Sequence, residues 1–546
     1  MYAWWGGLFL LALSLSACSD WLPHVDLAPS YQPPQFIVPA SWHRTSPFVE
    51  AKPSDGELRQ EWWKVYDDPI LNGLEEQAMV ANPDLQAAAE RFIQARDMMM
   101  KVRSRRIPHF GFGFGASNNK QSDEALFRSA DEQKIQSNVS TSGIASWEPD
   151  FWSAIRNATR VEMYRAEERA ADYGLARLSL QAEIAANYFT LRGFDTRIGT
   201  FIKSISLYKS SLDLIKTQFQ VGIASELDIA RIESLLFSTE TQLAEAQGER
   251  QVTEQSMAIL LNMMPASFQI EPVAGIQVPH FTIPQTIPST LLERRPDIAG
   301  MERRMAQANR AIGIARAAFF PDVKFRAIGG LEDEGINLFK LADSLWSYGL
   351  DVSLPFFQGG YRRAKLQQYW SVYRELEDTY RSTVLNAFLE VENALSLTNR
   401  LTAAVDRQDA TVKATLKTQN LTTELYQGGL ASSLELIFAQ VNTLEARIHA
   451  VMIKVDLLRA SVSLIRALGG GWNRKQLPAD EQIQPFNTLQ YVHLDKPASA
   501  GGIDVNAGNN RVYNDLTKAI VDFGSSTTFD KNSPSLEEDQ KPDDHE

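Results

Sequence analysis

NPDLQAAAERFIQARDMMMKVRSRRIPHFGFGFG, from Asn82 to Gly115, returns later in the chain as RPDIAGMERRMAQANRAIGIARAAFFPDVKFRAIGG, from Arg295 to Gly330. Pro83 answers Pro296 and Pro108 answers Pro321, both at an offset of 213 residues. Further on, FQVGIASELDIA from Phe219 answers YQGGLASSLELI from Tyr426 at an offset of 207. The matched pieces keep the same order in both halves. Self-similarity over some two hundred residues marks one structural unit written twice.

Each copy opens on a Pro-Asp pair. Proline suits the first helical turn, and an acid there meets the positive end of the helix dipole. This first helix ends at Pro108 or Pro321. Strict alternation follows in HFGFGFGA, His109 to Ala116, which predicts a strand. A second strand is expected within Lys134 to Trp152. The other copy gives strands over Asp322 to Ile328 and Trp346 to Phe357, with polar loops over 117–134 and 331–345. Gly111, Gly113 and Gly115 alternate with phenylalanine, a pattern of barrel-strand packing rather than of a phosphate loop.

Long helices come next. The chain has 24 prolines, yet none lies between Pro149 and Pro265 or between Pro355 and Pro478. Proline inside a helix costs about 3 kcal/mol, so such gaps mark long helices. Leu180, Ile184, Asn187, Leu191, Phe194, Ile198, Phe201, Ile205, Tyr208, Leu212, Ile215 and Phe219 follow a 4-3 spacing. A second run goes from Leu434 through Ile437, Val441, Leu444, Ile448, Val451, Val455, Leu458 and Val462 to Ile465. Sustained 3-4 spacing is a coiled-coil seam. A helix from Trp152 to Phe219 would be about 100 Å long. Gly222 and Gly429 break the long runs and supply the positive φ of a tight turn. The predicted protomer is mainly α with β: four strands plus long helical hairpins. Four strands cannot close a membrane barrel, because an open edge in lipid leaves backbone groups unpaired. Three copies would give twelve strands, an even number in the usual range.

The remaining sequence bounds function. Net charge is −13, which disfavours nucleic acid as a partner. Apart from the N-terminus, no window approaches 18 consecutive apolar residues, which excludes a multi-helix membrane protein. The start, MYAWWGGLFLLALSLSACSD, has an apolar core from Gly6 to Leu15 and then Leu-Ser-Ala before Cys18, the single cysteine. This resembles a lipoprotein signal, residues 1–17, with Cys18 acylated; Ser19 after it resembles outer-membrane sorting. No basic residue precedes the apolar core, an unusual feature for a leader. Residues 18–56 are proline-rich and read as an extended strap. Residues 57–290 and 291–475 hold the two repeats. Residues 476–546 read as a tail, largely disordered and acidic at its end. The seven histidines show no metal-ligand spacing and there is no P-loop, so neither catalysis, metal nor cofactor is expected.

These pieces resemble the TolC-like outer-membrane efflux channels, and within them the OprM-type lipoproteins. The resemblance rests on the lipobox, EWWKVYDDPILNGL from Glu61, NPDLQAAAERFIQAR, SWEPDFWSAIR from Ser146, QVGIASELD, LLERRPDI from Leu291 and LPFFQGGYRRA from Leu354. It covers about three quarters of the chain. It implies a homotrimer anchored in outer-membrane lipid, with a 12-stranded barrel continued by a helical periplasmic tunnel. It also implies a periplasmic membrane-fusion adaptor and an inner-membrane pump, of the resistance-nodulation-division class, with drugs or other small molecules as cargo. A type I protein-secretion duct shares the architecture, and a periplasmic scaffold without a pore is the competing reading.

Two sets of site residues follow. The turns carrying Gly222, Ile223, Ala224, Gly429, Leu430 and Ala431 would dock the adaptor, with small apolar groups exposed. Asp228 and Glu435 stand six residues past the glycines, and with Leu430 and Leu434 they are the candidate periplasmic gate. Threefold rings of carboxylates would select cations or repel one another, and would then need raised pKa values or partners such as Arg447 or Lys417. The same acids equally fit helix starts favoured by the dipole.

Overall fold

A computed structural model describes residues 23–34, 61–120, 135–273, 275, 276, 278, 291–334 and 343–477. Cys18, residues 19–22 and 35–56 of the strap, and nearly all of the C-terminal tail lie outside the described residues. Helix α1 spans Pro69–Ala81 and α2 spans Pro83–Arg103. Strands β1, His109–Lys120, and β2, Ile135–Trp147, form a hairpin, followed by α3, Ala154–Gln220, and α4, Glu226–Leu260. The second copy runs α5, Pro296–Ala317; β3, Asp322–Asp333; β4, Ser344–Ser353; α6, Tyr361–Gln427; and α7, Ser433–Ala467. Both long helices, α3 and α6, have 67 residues, and both return helices, α4 and α7, have 35. The long helices and their returns therefore match in length residue for residue. Strands β1 and β3 begin 213 residues apart, whereas α3 and α6 begin 207 apart. The difference of six residues falls within the hairpins.

Helix starts follow the expected chemistry. Pro69 and Pro83 occupy first-turn positions, and the caps Asp68 and Asn82 accept from Leu71 N and Leu85 N at 3.2 and 2.9 Å. Such caps satisfy amides that the helix leaves orphaned. Asn82 also donates to the Leu260 carbonyl at 3.0 Å, tying the start of α2 to the end of α4. In the second copy Asp297 does more than favour a dipole: it holds the buried Arg295 at 3.0 and 2.6 Å. Arg295 also reaches Glu390 at 2.7 Å and the Ala467 carbonyl at 3.1 Å. The LLERRPDI stretch thereby fastens α5 to α6 and α7.

The four strands form one antiparallel sheet in the order β1-β2-β3-β4, so β1 and β4 are its edges. The strands run farther than alternation suggested. Residues 117–120 and 331–333 are paired, because the backbone ladder continues past the apolar stretch. β4 ends at Ser353, before Pro355, rather than at Phe357. The register places Phe112, Gly143, Gly329 and Trp346 in one row, and Phe110, Ala145, Ala327 and Tyr348 in the next. Phe110, Phe112, Phe114, Trp346, Tyr348, Leu350 and Val352 therefore share one exposed face, with Phe112 81% exposed. The opposite face carries Ile144, Ile328 and Leu345 among glycines, serines, Asn138, Lys324, Arg326 and Glu332. Such a sheet suits lipid on one side and water on the other.

Two tryptophans join sheet to helices. Trp147 Nε1 donates to the Arg106 carbonyl at 3.1 Å, and Trp152 Nε1 to the Pro321 carbonyl at 2.8 Å. Asp150 accepts from Ile155 N and Arg156 N, so it caps α3 across Ser153, whose φ is 55°. Gly360, φ 87°, stands at the matching place before α6. The helical core follows the heptad seam: Phe201, Ile205, Tyr208, Leu212 and Ile215 of α3 pack with Ile232 and Leu236 of α4 and with Tyr426, Leu436 and Leu444. The seam frays at its ends, where Phe219 and Leu434 are exposed. None of the described helices is long and apolar enough to cross a membrane.

Glu75 of α1 is fully buried, and neither carboxylate oxygen has a hydrogen-bond partner among the described residues. Burial pushes its carboxyl well above the usual range. Its folded-state pKa exceeds its unfolded value, so the cost of burying it is absent at low pH and grows as pH rises above about 4.5. Glu75→Gln should remove that dependence and raise the thermal midpoint at pH 7, with little effect near pH 4. Melting followed by tryptophan fluorescence at both pH values checks this; an equal effect at both would contradict it.

Candidate functional site: the paired helical turns

Both turns end a 67-residue helix in the same way. Gly222 and Gly429 have φ of 79° and 73°, in the left-handed region. Gly222 N donates to the Phe219 carbonyl at 2.9 Å and Ile223 N to the Gln218 carbonyl at 2.8 Å. Gly429 N and Leu430 N repeat the pattern on Tyr426 and Leu425 at 3.1 and 2.8 Å. This pairing is the Schellman motif, which satisfies the last helical carbonyls and requires positive φ at the glycine. Ile223 and Leu430 stand at the tips, 76% and 80% exposed. Ala224 and Ala431 do not share that exposure. They are half-buried and pack on the seam of α3, α4 and α7. The apolar tip is thus one large side chain per turn, with Leu227 and Leu434 also exposed beside them.

Asp228 and Glu435 each complete a capping box. Ser225 N donates to Asp228 Oδ2 at 3.0 Å while Asp228 N donates back to Ser225 Oγ at 3.3 Å. Ser432 N donates to Glu435 Oε2 at 2.7 Å while Glu435 N donates to Ser432 Oγ at 3.3 Å. Both carboxyls are held below their usual range rather than above it. For Asp228 the hydrogen bond from Ser433 is the largest cause, followed by that from Ser225. For Glu435 the Ser432 amide comes first. Arg231 stands 3.8 Å from Asp228, so within one chain the partners are serines and Arg231, not Arg447 or Lys417. The S-x-x-D and S-x-x-E spacing after each glycine was the sequence signal for these boxes.

Sequence reading missed the lateral links between the two turns. Ser433 Oγ donates to Asp228, Tyr426 OH donates to Gln218, and Gln440 Nε2 donates to Ser211 Oγ at 2.9 Å. The first hairpin is therefore tied to the second near the tip by three side-chain hydrogen bonds. No periodicity announces such pairs, because they join residues more than two hundred positions apart.

A sheet with one lipid-compatible face, continued by helical rods that end in matched tips, defines an outer-membrane channel. The chain belongs to the outer membrane efflux protein family, whose sequence profile matches residues 74–263 and again 287–470. The toluene efflux pump outer membrane protein TtgF of Pseudomonas putida is 28% identical over 476 residues, 85% of this chain and 96% of that one. The pyoverdine export outer membrane protein OpmQ of Pseudomonas putida is 29% identical over 477 residues, 85% and 97% of the two chains. Among solved structures, the outer-membrane channel OprN superposes with a TM-score of 0.75 at 26% identity, over 82% of this chain and 100% of that one. The CmeC outer membrane channel of Campylobacter jejuni gives 0.76 at 24%, over 82% and 96%. The protein is an outer-membrane efflux channel.

Replacing Gly222 or Gly429 with valine forces a β-branched residue into the left-handed region, at a cost of about 1–2 kcal/mol. Each variant should assemble normally but lose resistance to exported compounds. Oligomer yield and minimum inhibitory concentrations measure this; unchanged resistance in both would remove the turns from the functional site.

Proposed function

We propose that three copies close one twelve-stranded barrel in the outer membrane, and that the helices form a periplasmic tunnel through which a pump expels small molecules. The carrying observation is the open sheet: β1 and β4 are unpaired edges beside a continuous apolar face. Edges in lipid must be paired, and copies of the same chain supply the pairing. The tips are the natural dock for a periplasmic membrane-fusion adaptor, with Ile223 and Leu430 as anchors. The inner-membrane partner is a pump of the resistance-nodulation-division class. Relatives named for toluene and pyoverdine efflux favour small-molecule cargo over protein secretion.

The strap supports a lipid anchor on Cys18. Val25 N donates to the Phe151 carbonyl at 2.8 Å, just past the end of β2. Asp26 accepts from Asn157 Nδ2 at 2.9 Å and pairs with Arg160 and Arg310 at 2.9 and 3.0 Å. Gly313 leaves room for Ala28, which would meet a Cβ there at 2.8 Å. Residues 25–28 of the strap thus contact both repeats, with Val25 beside the residues that follow β2. Seven residues of extended chain between Cys18 and Val25 reach at most about 25 Å. Cys18→Ala should abolish acylation while the oligomer still forms, because one acyl chain adds modest affinity to a barrel held by its own apolar girdle. Mature protein without lipid on Cys18 would refute the anchor.

The gate is assigned to the second turn, at Leu430, Leu434 and Glu435, with Asp228 as the outer latch. Three carboxylates within about 6 Å would repel by a few kcal/mol at an effective dielectric near 20. Glu435→Ala should change ion selectivity more than Asp228→Ala, whereas Asp228→Ala should raise open probability by freeing Ser433. Planar-bilayer recordings separate the two. Equal and negligible effects would move the gate to apolar residues alone.

A further inference from the structure

Where β4 meets α6, the chain reads LPFFQGGYRRAK from Leu354 to Lys365. Leu350, Val352, Leu354 and Phe356 are all exposed and continue the alternation of the apolar face, with Phe356 almost fully so. Phe357 and Tyr361 are exposed too. Basic side chains begin immediately below. Arg362 is used by the fold: it donates to the Pro355 and Ala318 carbonyls and lies over the Phe319 ring. Arg363 and Lys365 are exposed, and no acid occurs from Val352 to Arg374. Repeat 1 has Arg156 and Ala158 at the positions 207 residues earlier, and Pro149 in place of Phe356. The first joint is also aromatic and basic, but it carries Glu148 and Asp150, and Asp150 holds Arg156; an acid-free joint occurs in the second copy.

A second acid-free segment stands at the other edge of the sheet. Met98 to Pro108, leading into β1, holds Lys101, Arg103, Arg105 and Arg106 and no Asp or Glu. Lys101 and Arg105 are exposed. Within one chain these two segments lie at opposite edges. When copies close a ring, β4 of one abuts β1 of the next, and both segments lie at the helical ends of those strands. Ring closure would therefore bring the segment of Arg363 and Lys365 to the same end of the strands as the segment of Lys101 and Arg105 of the neighbouring copy, below the exposed Phe356, Phe357 and Tyr361.

We propose that each subunit boundary is a binding site for anionic phospholipid of the inner leaflet, with acyl chains against Phe356 and Phe357 and the phosphate among Arg363, Lys365, Lys101 and Arg105. The inference rests on the ring-closure reading above. Its physics is ordinary: aromatic side chains settle at the depth of the lipid headgroups, and basic residues near an anionic surface are drawn to it. Guanidinium groups hold phosphate through paired hydrogen bonds. An aqueous phosphate would leave the aromatic rim uncovered, so the occupant is a lipid and not a free ion.

The test uses full-length protein in detergent, offered equal phosphatidylglycerol and phosphatidylcholine, with retained lipid counted by native mass spectrometry. The oligomer should keep phosphatidylglycerol at least fivefold over phosphatidylcholine. Arg105→Gln, Arg363→Gln and Lys365→Gln combined should bring the ratio to about one. Arg363→Lys with Lys365→Arg, which keeps the charge, should preserve it. Glycerol phosphate in excess should not displace the lipid. Equal retention by the native protein, an unchanged preference in the triple variant, or displacement by glycerol phosphate would each overturn the proposal. A native particle with a single chain would refute ring closure, and with it this site, whereas a conducting oligomer without lipid preference would refute the site alone.

Discussion

Backbone hydrogen bonding in lipid is the constraint from which the other features follow. Four strands with a phenylalanine-, tyrosine- and tryptophan-bearing face leave two edges of unpaired amides and carbonyls. In hydrocarbon each such group costs several kcal/mol, more than local packing can return. Closure by identical copies removes every edge at once. The same closure places any residue of the helices or turns three times around an axis, which turns ordinary helix-start acids into rings.

Duplication sets how the rest is built. Each repeat supplies one hairpin, one 67-residue helix and one 35-residue return, so the two halves can alternate around a ring with near-equal geometry. They are not equivalent in chemistry. The first repeat has Ser153 where the second has Gly360, both in the left-handed region. The first turn carries Asp228, which also accepts from Ser433 of the second turn; the second carries Glu435, whose bonds stay within its own cap. The duplicated tips are therefore held unequally, and the first is bonded to the second through Asp228.

Much of this was legible in the chain. Proline gaps and the offsets of 213 and 207 located the helices, hairpins and turns, because proline and glycine act locally on backbone geometry. Strand ends were read short at Ala116 and Ile328, since Ser117 to Lys120 and Gly329 to Asp333 lie outside the apolar band yet still pair. Ala224 and Ala431 were expected at the surface, but the return helices fold them back against the seam. The bonds Tyr426–Gln218 and Gln440–Ser211 were invisible, as was the grip of Arg295 on Glu390. Such pairs depend on how helices are laid side by side, and pattern along one helix carries no record of it. Asp228 and Glu435 were recognised as a matched pair, but their capping geometry became plain with the serines three residues before them.

The number of chains that complete one barrel decides the architecture. Native mass spectrometry of the full-length particle in detergent counts them directly. Three copies in a single species, giving twelve strands, are the expected result. Two copies, which would make an eight-stranded barrel, or a stable single chain in detergent would contradict it.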